Sequence, residues 1–496
     1  MADQTKQVKL SELGLRASTG GDTTVTGLSV DSRDVKQGHL FAALPGARMH
    51  GAEFISFALR MGASAVLTDR EGQQIAKDAL EQAEIPVVLA EDPRQALAYA
   101  AALWFERQPE VVVAVTGTNG KTSVATFLRQ IWELIGHRAA NIGTTGVEGT
   151  VEMPSPHTTP EPITLHRMLS ELAQAQVNHV VMEASSHGLA QRRLDGVHLS
   201  AAGFTNITQD HLDYHADFDD YFRAKLGLFD RVLPEDGVAV LNDADQKASF
   251  IRAVAEDRHL DVLNIGMRDS SDLRILSRRY DASGQDLRFD WQGQAVQVRL
   301  GLIGGFQAEN VLMAVGLAIA TGSVPTHVFD VLPKLKPVKG RMQHVATRKN
   351  GATVFVDYAH TPDAVETALK ALRPHVLGRI IAVIGAGGDR DQTKRPLMGQ
   401  AAAAHADVVI VTDDNPRSED PEAIRRMVMA GCPDATEVGD RAEAILRGVD
   451  VLGPGDALLI AGKGHETGQV IGDSVFPFDD SEQASVAVAA LDGLMA

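Results

Sequence analysis

Cysteine is almost absent: Cys432 stands alone in 496 residues. A single thiol forms no internal disulfide, and it excludes a zinc cluster built on thiolates. Basic residues are outnumbered, 47 Lys and Arg against 65 Asp and Glu, which leaves a formal net charge of −18. Such an acidic surface argues against a protein that coats DNA or binds anionic membranes, because phosphate backbones need basic faces. It still permits a phosphorylated small substrate, which needs only a local pocket of positive charge and backbone N–H groups. Long apolar runs are missing too: none approaches the ~18 residues of a bilayer span. The opening MADQTKQVKLSELGL lacks the apolar segment of a secretory signal. These absences predict a cytoplasmic protein with no nucleic-acid partner and no membrane span, and a monomer is expected.

What is present is ordinary for a globular chain, 44% hydrophobic and 23% charged residues. The length gives a prior of roughly three domains. In the first unit, expected over 1–107, SVDSRDVKQGHLFAAL reads as strand, polar turn, strand, with further strands at SAVLTD and IPVVLA. Asp92 and Pro93 supply an N-cap and a first-turn proline for a helix ending near Arg107, and Gln108-Pro109 breaks it. The second unit, 108–335, opens with the buried strand Val111 to Val115. A helix follows, with Val124, Phe127, Leu128, Ile131, Leu134 and Ile135 at helical spacing and Gly136 as its stop. The third unit, 336–496, repeats strand, loop and helix: TVFVDYAHTPDAVETALKAL, then RIIAVIGAGG, DVVIVTDDN and DALLIAGKG. Its polar clusters fall at the carboxyl ends of strands, where open parallel sheets place their binding crevice. The fold class predicted is α/β in three domains.

The strongest local signal is Gly117-Thr118-Asn119-Gly120-Lys121-Thr122-Ser123 between a buried strand and a helix. Glycines let the chain curl so that successive N–H groups face phosphate oxygens, helped by the helix N-terminus. Lys121 would reach the β/γ-phosphates, and the Thr122 hydroxyl would reach a magnesium ion. The full pattern fails at its first glycine, where Val115 stands. A phosphate loop alone leaves kinase, NTPase, transporter subunit and ligase open. Glu183, after the strand VVM, and His211, after AAGFTNI, add groups at neighbouring strand ends. Hard Mg²⁺ prefers oxygen, so Glu183 suits it better, and His211 fits a second metal site.

Taken in order, GTNGKTS (117–123), MEASSHGLAQRR (182–193), HLDYH (211–215), YFRAKLGLF (221–229), VDYAHTPDA (356–364), GGDRDQTKRPLMG (387–399), DNPR (414–417) and GKGHE (462–466) resemble the Mur ligases. DNPR is similar to the signature of members that add meso-diaminopimelate rather than lysine. The resemblance implies an N-terminal domain that binds the UDP end of the substrate and a central P-loop ATPase domain. A Rossmann-like C-terminal domain would bring the amino acid. The implied substrates are ATP, UDP-MurNAc-L-Ala-D-Glu and diaminopimelate, with Mg²⁺ as cofactor. The D-glutamate carboxylate would attack the γ-phosphate, and the amine would then capture the acyl-phosphate.

By resemblance, Thr122 and Glu183 belong to one magnesium site and His211 to the second, with Lys225 carried as a carbamate (N6-carboxylysine). Without the family match, Lys225 reads as an ordinary surface lysine on a helix. Asn310, Arg341, Asp357 and His360 are implied around the nucleotide. The usual Gly-Phe-Asn-x-x-Asn motif here reads with Gln307 in place of its first Asn, an amide one methylene longer, and Ser123 replaces a Thr. For the UDP-sugar dipeptide the matching positions are Val30, Ser32, Ala47, Arg48, Met49, Thr158, Thr159, Ser185, Gln191 and Arg193. Hairpin chemistry is the alternative for the SVDSR turn.

Diaminopimelate differs from lysine by a carboxylate at its far end, which calls for the two-pronged donor of arginine. Arg417 and Arg390 both follow strands of the third unit. Asp414 and Asn415, with Pro416 between them and Arg417, would hold the far amino group. Gly462 and Glu466 match the remaining amino-acid contacts, expected at the near end. A guanidinium left unpaired by lysine would let the site reject it by as much as ~10⁴-fold. GAGGDR also resembles a dinucleotide fingerprint, but Arg390 occupies its third glycine. The rivals are a sister ligase that takes lysine and a nucleotide-dependent regulator without turnover.

Overall fold

The computed structural model describes residues 6–19, 21–46, 49–155, 157–208 and 214–493. Among these residues the strands form three main sheets. The first has five strands, Ala17–Thr19, Gly27–Ser29, His39–Ala42, Ala65–Thr68 and Val87–Leu89. Asp92 caps the helix Pro93–Phe105 by accepting from the Gln95 amide. That helix runs as its cap and proline predict. The SVDSR turn is no hairpin: Gly27–Ser29 and His39–Ala42 pair in parallel. Between them Asp31 caps the 3₁₀ turn Ser32–Asp34, accepting from the Arg33 amide.

The central sheet has ten strands. Across it, the strands begin in the order Gly146, Ala139, His179, Val111, Ala201, Val238, Asp261, Leu273, Gly284 and Gln294. Val111–Thr116 lies in the parallel part between His179–Glu183 and Ala201–Phe204. Its side chains alternate between two cores, Val113 and Val115 on one face and Val112 and Ala114 on the other. Burial on both faces is why the run is continuously apolar instead of alternating. The helix Lys121–Leu134 covers the first face, and Gly136 takes φ +101° just beyond its end. Beside it packs Phe306–Ala320, a helix apolar nearly all round, which brings Asn310 to the phosphate loop.

The antiparallel ribbon Leu273–Asp281, Gly284–Trp291 and Gln294–Leu300 closes this sheet. It had no counterpart in the sequence reading, and its long-range pairing leaves little local trace. The third sheet, six strands, is parallel apart from Gln343–Thr347. Thr361 caps Pro362–Leu372, and Asp420 caps Pro421–Met429, as the two x-Pro pairs predict. A second helix, Arg441–Asp450, precedes the last parallel strand Ala457–Ala461 and was not anticipated. Four loops, after Asp357, Ile384, Val411 and Ala461, therefore open at one edge of this sheet. The loop after Asp357 lines the same cavity as the phosphate loop.

Candidate active site

A cavity of about 480 Å³ separates the central and third units. The loop 117–123 forms one wall, and its shape follows from two glycines. Gly117 (φ +149°) and Gly120 (φ +87°) hold conformations closed to most side chains. A Cβ at Gly120 would lie 2.6 Å from Asn310 Oδ1. Gly120 also stands at the N-cap of the helix Lys121–Leu134 and brings no capping side chain. Lys121, Thr122 and Ser123 line the cavity at this uncapped end. Thr205 and Asn206 strap the loop from behind. The Thr118 amide donates to Asn206 O (2.8 Å), the Asn119 amide to Asn206 Oδ1 (2.9 Å), and Thr205 Oγ1 to Asn119 O (2.6 Å). Neither residue was singled out from the sequence, though both sit in the FTNI stretch at a strand's end.

Beside the loop, oxygen atoms gather. Thr122 Oγ1 donates to both carboxylate oxygens of Glu183 at 3.1 Å, and the Thr144 amide donates to Oε1 at 2.9 Å. Glu183 is 2% exposed. Such a hard, buried oxygen set fits Mg²⁺. Among the described residues no group of three His, Cys, Asp or Glu could hold a metal; His211 lies outside them, so its placement is not described. Lys225 is no surface lysine. It is 1% exposed, on the helix Phe218–Gly227, which continues as one π-helical turn. Its Nζ donates to Gly117 O at 2.7 Å and lies 4.6 Å from the centre of the Tyr221 ring.

Next to Glu183, the residues expected for the dipeptide form one network. Thr159 Oγ1 bonds Glu183 O (2.8 Å) and lies 3.0 Å from Ser185 Oγ. Ser185 in turn caps the helix Ser186–Ala190. Arg193 donates to Thr159 O (2.6 Å) and Gln191 Oε1 (2.8 Å), and burial pulls its pKa down. Thr158 and Ser185 reach the cavity wall. Val30, Ser32 and Met49 lie in the first unit and do not line it. Ala47 and Arg48 lie outside the described residues.

Across the cleft, Arg341 sits over the Tyr358 ring at 4.6 Å and donates to Thr122 Oγ1 at 3.3 Å, a bond between units. Asp357 is buried and accepts from the Met342 (2.6 Å) and Ala359 (2.8 Å) amides. Burial pushes its carboxyl above the ordinary range, against the pull of Arg341 and those two amides. Asn310, Asp357 and His360 all border the cavity. Gln307 is buried, and its Oε1 accepts from Asn310 Nδ2 at 3.1 Å.

Tyr358 bridges to the last cluster. Its phenol pKa is raised by burial and by Glu466 and Asp414, while Arg341 and Arg390 oppose the rise. Asn415 Nδ2 donates to Glu466 Oε2 at 2.9 Å. Gly462 (φ +120°) passes so close to Asp414 that a Cβ there would clash with its carboxylate. Arg417 holds φ +52° and donates to Gly388 O at 2.8 Å, close beside Gly387. The hairpin Gly468–Ile471 and Ser474–Pro477 fixes that backbone, since the Arg417 amide bonds Val470 O and the Gly472 amide bonds Arg417 O. Pro416 is buried in the same loop, whereas Arg390 is exposed.

Family models match in three stretches: residues 24–105 to the Mur ligase family catalytic domain, 115–318 to the Mur ligase middle domain, and 340–464 to the Mur ligase glutamate ligase domain. A protein of Bradyrhizobium diazoefficiens named UDP-N-acetylmuramoyl-L-alanyl-D-glutamate–2,6-diaminopimelate ligase is 49% identical over 470 residues, 94% of this chain and 95% of that one. One of the same name from Caulobacter vibrioides is 47% identical, over 95% and 97% of the two chains. A solved structure of a ligase of that name superposes with a TM-score of 0.72 at 33% identity, covering 98% of this chain and 99% of that one. A Thermotoga maritima MurF ligase solved with ADP shares the fold, with a TM-score of 0.60 at 19% identity over 95% and 98%.

Proposed function

The chain belongs to the Mur ligase family, and from that premise we propose that it joins diaminopimelate to the D-glutamate of UDP-N-acetylmuramoyl-L-alanyl-D-glutamate. The reaction is driven by ATP, yields ADP and phosphate, and makes a peptidoglycan precursor. One observation carries the reading: a single cleft has the phosphate loop on one wall, and behind the other lies the loop Asp414-Asn415-Pro416-Arg417.

The first step brings a carboxylate against a triphosphate, and two anions approach only if positive charge stands between them. Lys121 lines the cleft, its Nζ within 2.9 Å of Gly117 O and Thr118 O, and serves as the mobile cation that turns to the phosphates. Arg341 supplies a second cation from the opposite wall. Thr122 and Glu183 would hold one Mg²⁺, and His211 with a carbamate on Lys225 would hold a second; bound there, the ions would supply charge neutralisation for the phosphates. Burial of Lys225 beside the phosphate loop supports that assignment, because a carbamate oxygen suits a hard cation where an ammonium does not. The network of Thr158, Thr159, Ser185, Gln191 and Arg193 orients the peptide end of the UDP substrate, and Val30, Ser32 and Met49 serve its uridine end. Asn310, Asp357 and His360 orient the nucleotide.

In the second step an amine takes the activated carbonyl. Arg417 and Arg390 read the far carboxylate, while Asp414 and Glu466 take the ammonium groups and Asn415, its oxygen already engaged by Lys463 and the Val470 amide, holds Glu466 in place. Amino acids tested in parallel for ADP formation with the UDP-dipeptide check the reading. Diaminopimelate should stimulate and lysine should not. Stimulation by lysine alone would make this a lysine-adding relative, and AMP with pyrophosphate would end the proposal.

A further inference from the structure

Lys463 is the one residue of the GKGHE stretch whose charge is wholly enclosed: its side chain is 0% exposed. A buried ammonium persists only where acceptors surround it. Its Nζ lies 2.9 Å from Asn415 Oδ1 and 3.4 Å from Glu466 Oε2. The Val470 amide of the hairpin donates to the same Asn415 oxygen at 2.9 Å. Two donors on Oδ1 decide which way the amide faces, since the flipped form would set an NH₂ against an ammonium and an N–H. With Oδ1 so engaged, Asn415 Nδ2 must point to Glu466 Oε2, at 2.9 Å. Glu466 thus has one oxygen held by two donors. Among the described residues no donor bonds the other, on a carboxylate about a third exposed.

We propose that Lys463 is a positioning residue for the amino-acid substrate. From beneath, it locks the Asn415 amide and one Glu466 oxygen, so that the second carboxylate oxygen faces an incoming ammonium group. Lys463 touches no substrate itself, and its effect is confined to the amino acid. This rests on the function proposed above, so wild-type turnover with diaminopimelate is the control: its absence sinks that function, whereas the variants below test Lys463 alone.

Lys463→Met keeps the length of the side chain and removes the charge. Its KM for diaminopimelate should rise at least tenfold, while the KM for ATP stays within twofold and kcat at saturation within threefold. Lys463→Gln, which retains a donor, should recover part of the loss. In a Glu466→Gln background, Lys463→Met should raise the KM no more than about threefold further, because the group it acts through is already altered. Equal changes in the ATP and diaminopimelate KM, no change in either, or full additivity with Glu466→Gln would each overturn the proposal. If Lys463→Met does not fold, the comparison of Lys463→Gln with and without Glu466→Gln decides by the same criteria.

Discussion

The two walls of the cleft are built from different materials. On the central wall the decisive features are main-chain ones: left-handed glycines at 117 and 120, an uncapped helix start, and amides and carbonyls strapped by Thr205 and Asn206. On the side of the third unit, charged and polar side chains from separate strand ends interlock, Arg341 against Tyr358 at the wall and, behind it, Asn415 with Glu466 and Lys463. A wall made of backbone suits a ligand common to many enzymes, because any residue supplies an N–H. A wall of side chains discriminates, because each group must find its partner or stand unpaired. Affinity for triphosphate and choice of amino acid are therefore separable, and substitutions should separate them.

The largest effect is expected where the walls' chemistry meets. Lys225→Ala should lower turnover by ~10³-fold or more, the scale for losing a main electrostatic group, with the KM of either substrate little changed. Short carboxylates should restore part of the rate, and failure of rescue would count against the carbamate. Next comes Arg417→Ala. Loss of a charged hydrogen bond costs about 1.5–3 kcal/mol, so the diaminopimelate KM should rise roughly 10- to 150-fold and the ATP KM should not move. A parallel rise in both would dissolve the contrast between the walls.

Gly120→Ala probes the opposite wall. The new methyl would meet Asn310 Oδ1 at 2.6 Å in a backbone of φ +87°. Strain of this kind costs of order 1–3 kcal/mol, and ATP affinity should fall roughly tenfold or more with diaminopimelate affinity unchanged. The smallest effect concerns acid. Burial and the nearby Arg341 and Lys339 depress the His465 pKa to about 4. Between that value and the ordinary 6.5 the unfolded chain binds the extra proton, so stability is full above pH 6.5 and is lost as pH falls toward 4. From pH 7 to pH 6 the loss is about 1 kcal/mol or less. His465→Gln should flatten that part of the Tm profile.

Local features of both walls were legible in the sequence. Strand, glycine turn and amphipathic helix announced the phosphate loop, and proline with a capping residue announced the helices at 93, 362 and 421. Family motifs pointed to Glu183, Arg341 and Asp357, which the fold brings to one cavity. What stayed hidden is what distant pairing creates. Gly27–Ser29 joins His39–Ala42 in parallel because the sheet, not the turn, decides the direction. Thr205 and Asn206 matter only because their strand lies beside the one that launches the loop. Lys225 read as solvent-facing because lysine usually is, and Lys463 drew no notice; only the packed neighbours reveal their enclosure.

The bond from Arg341 to Thr122 has a further consequence. The cleft is lined from two sheets with separate cores, so a nucleotide bound there would be a clasp between them as well as a reagent.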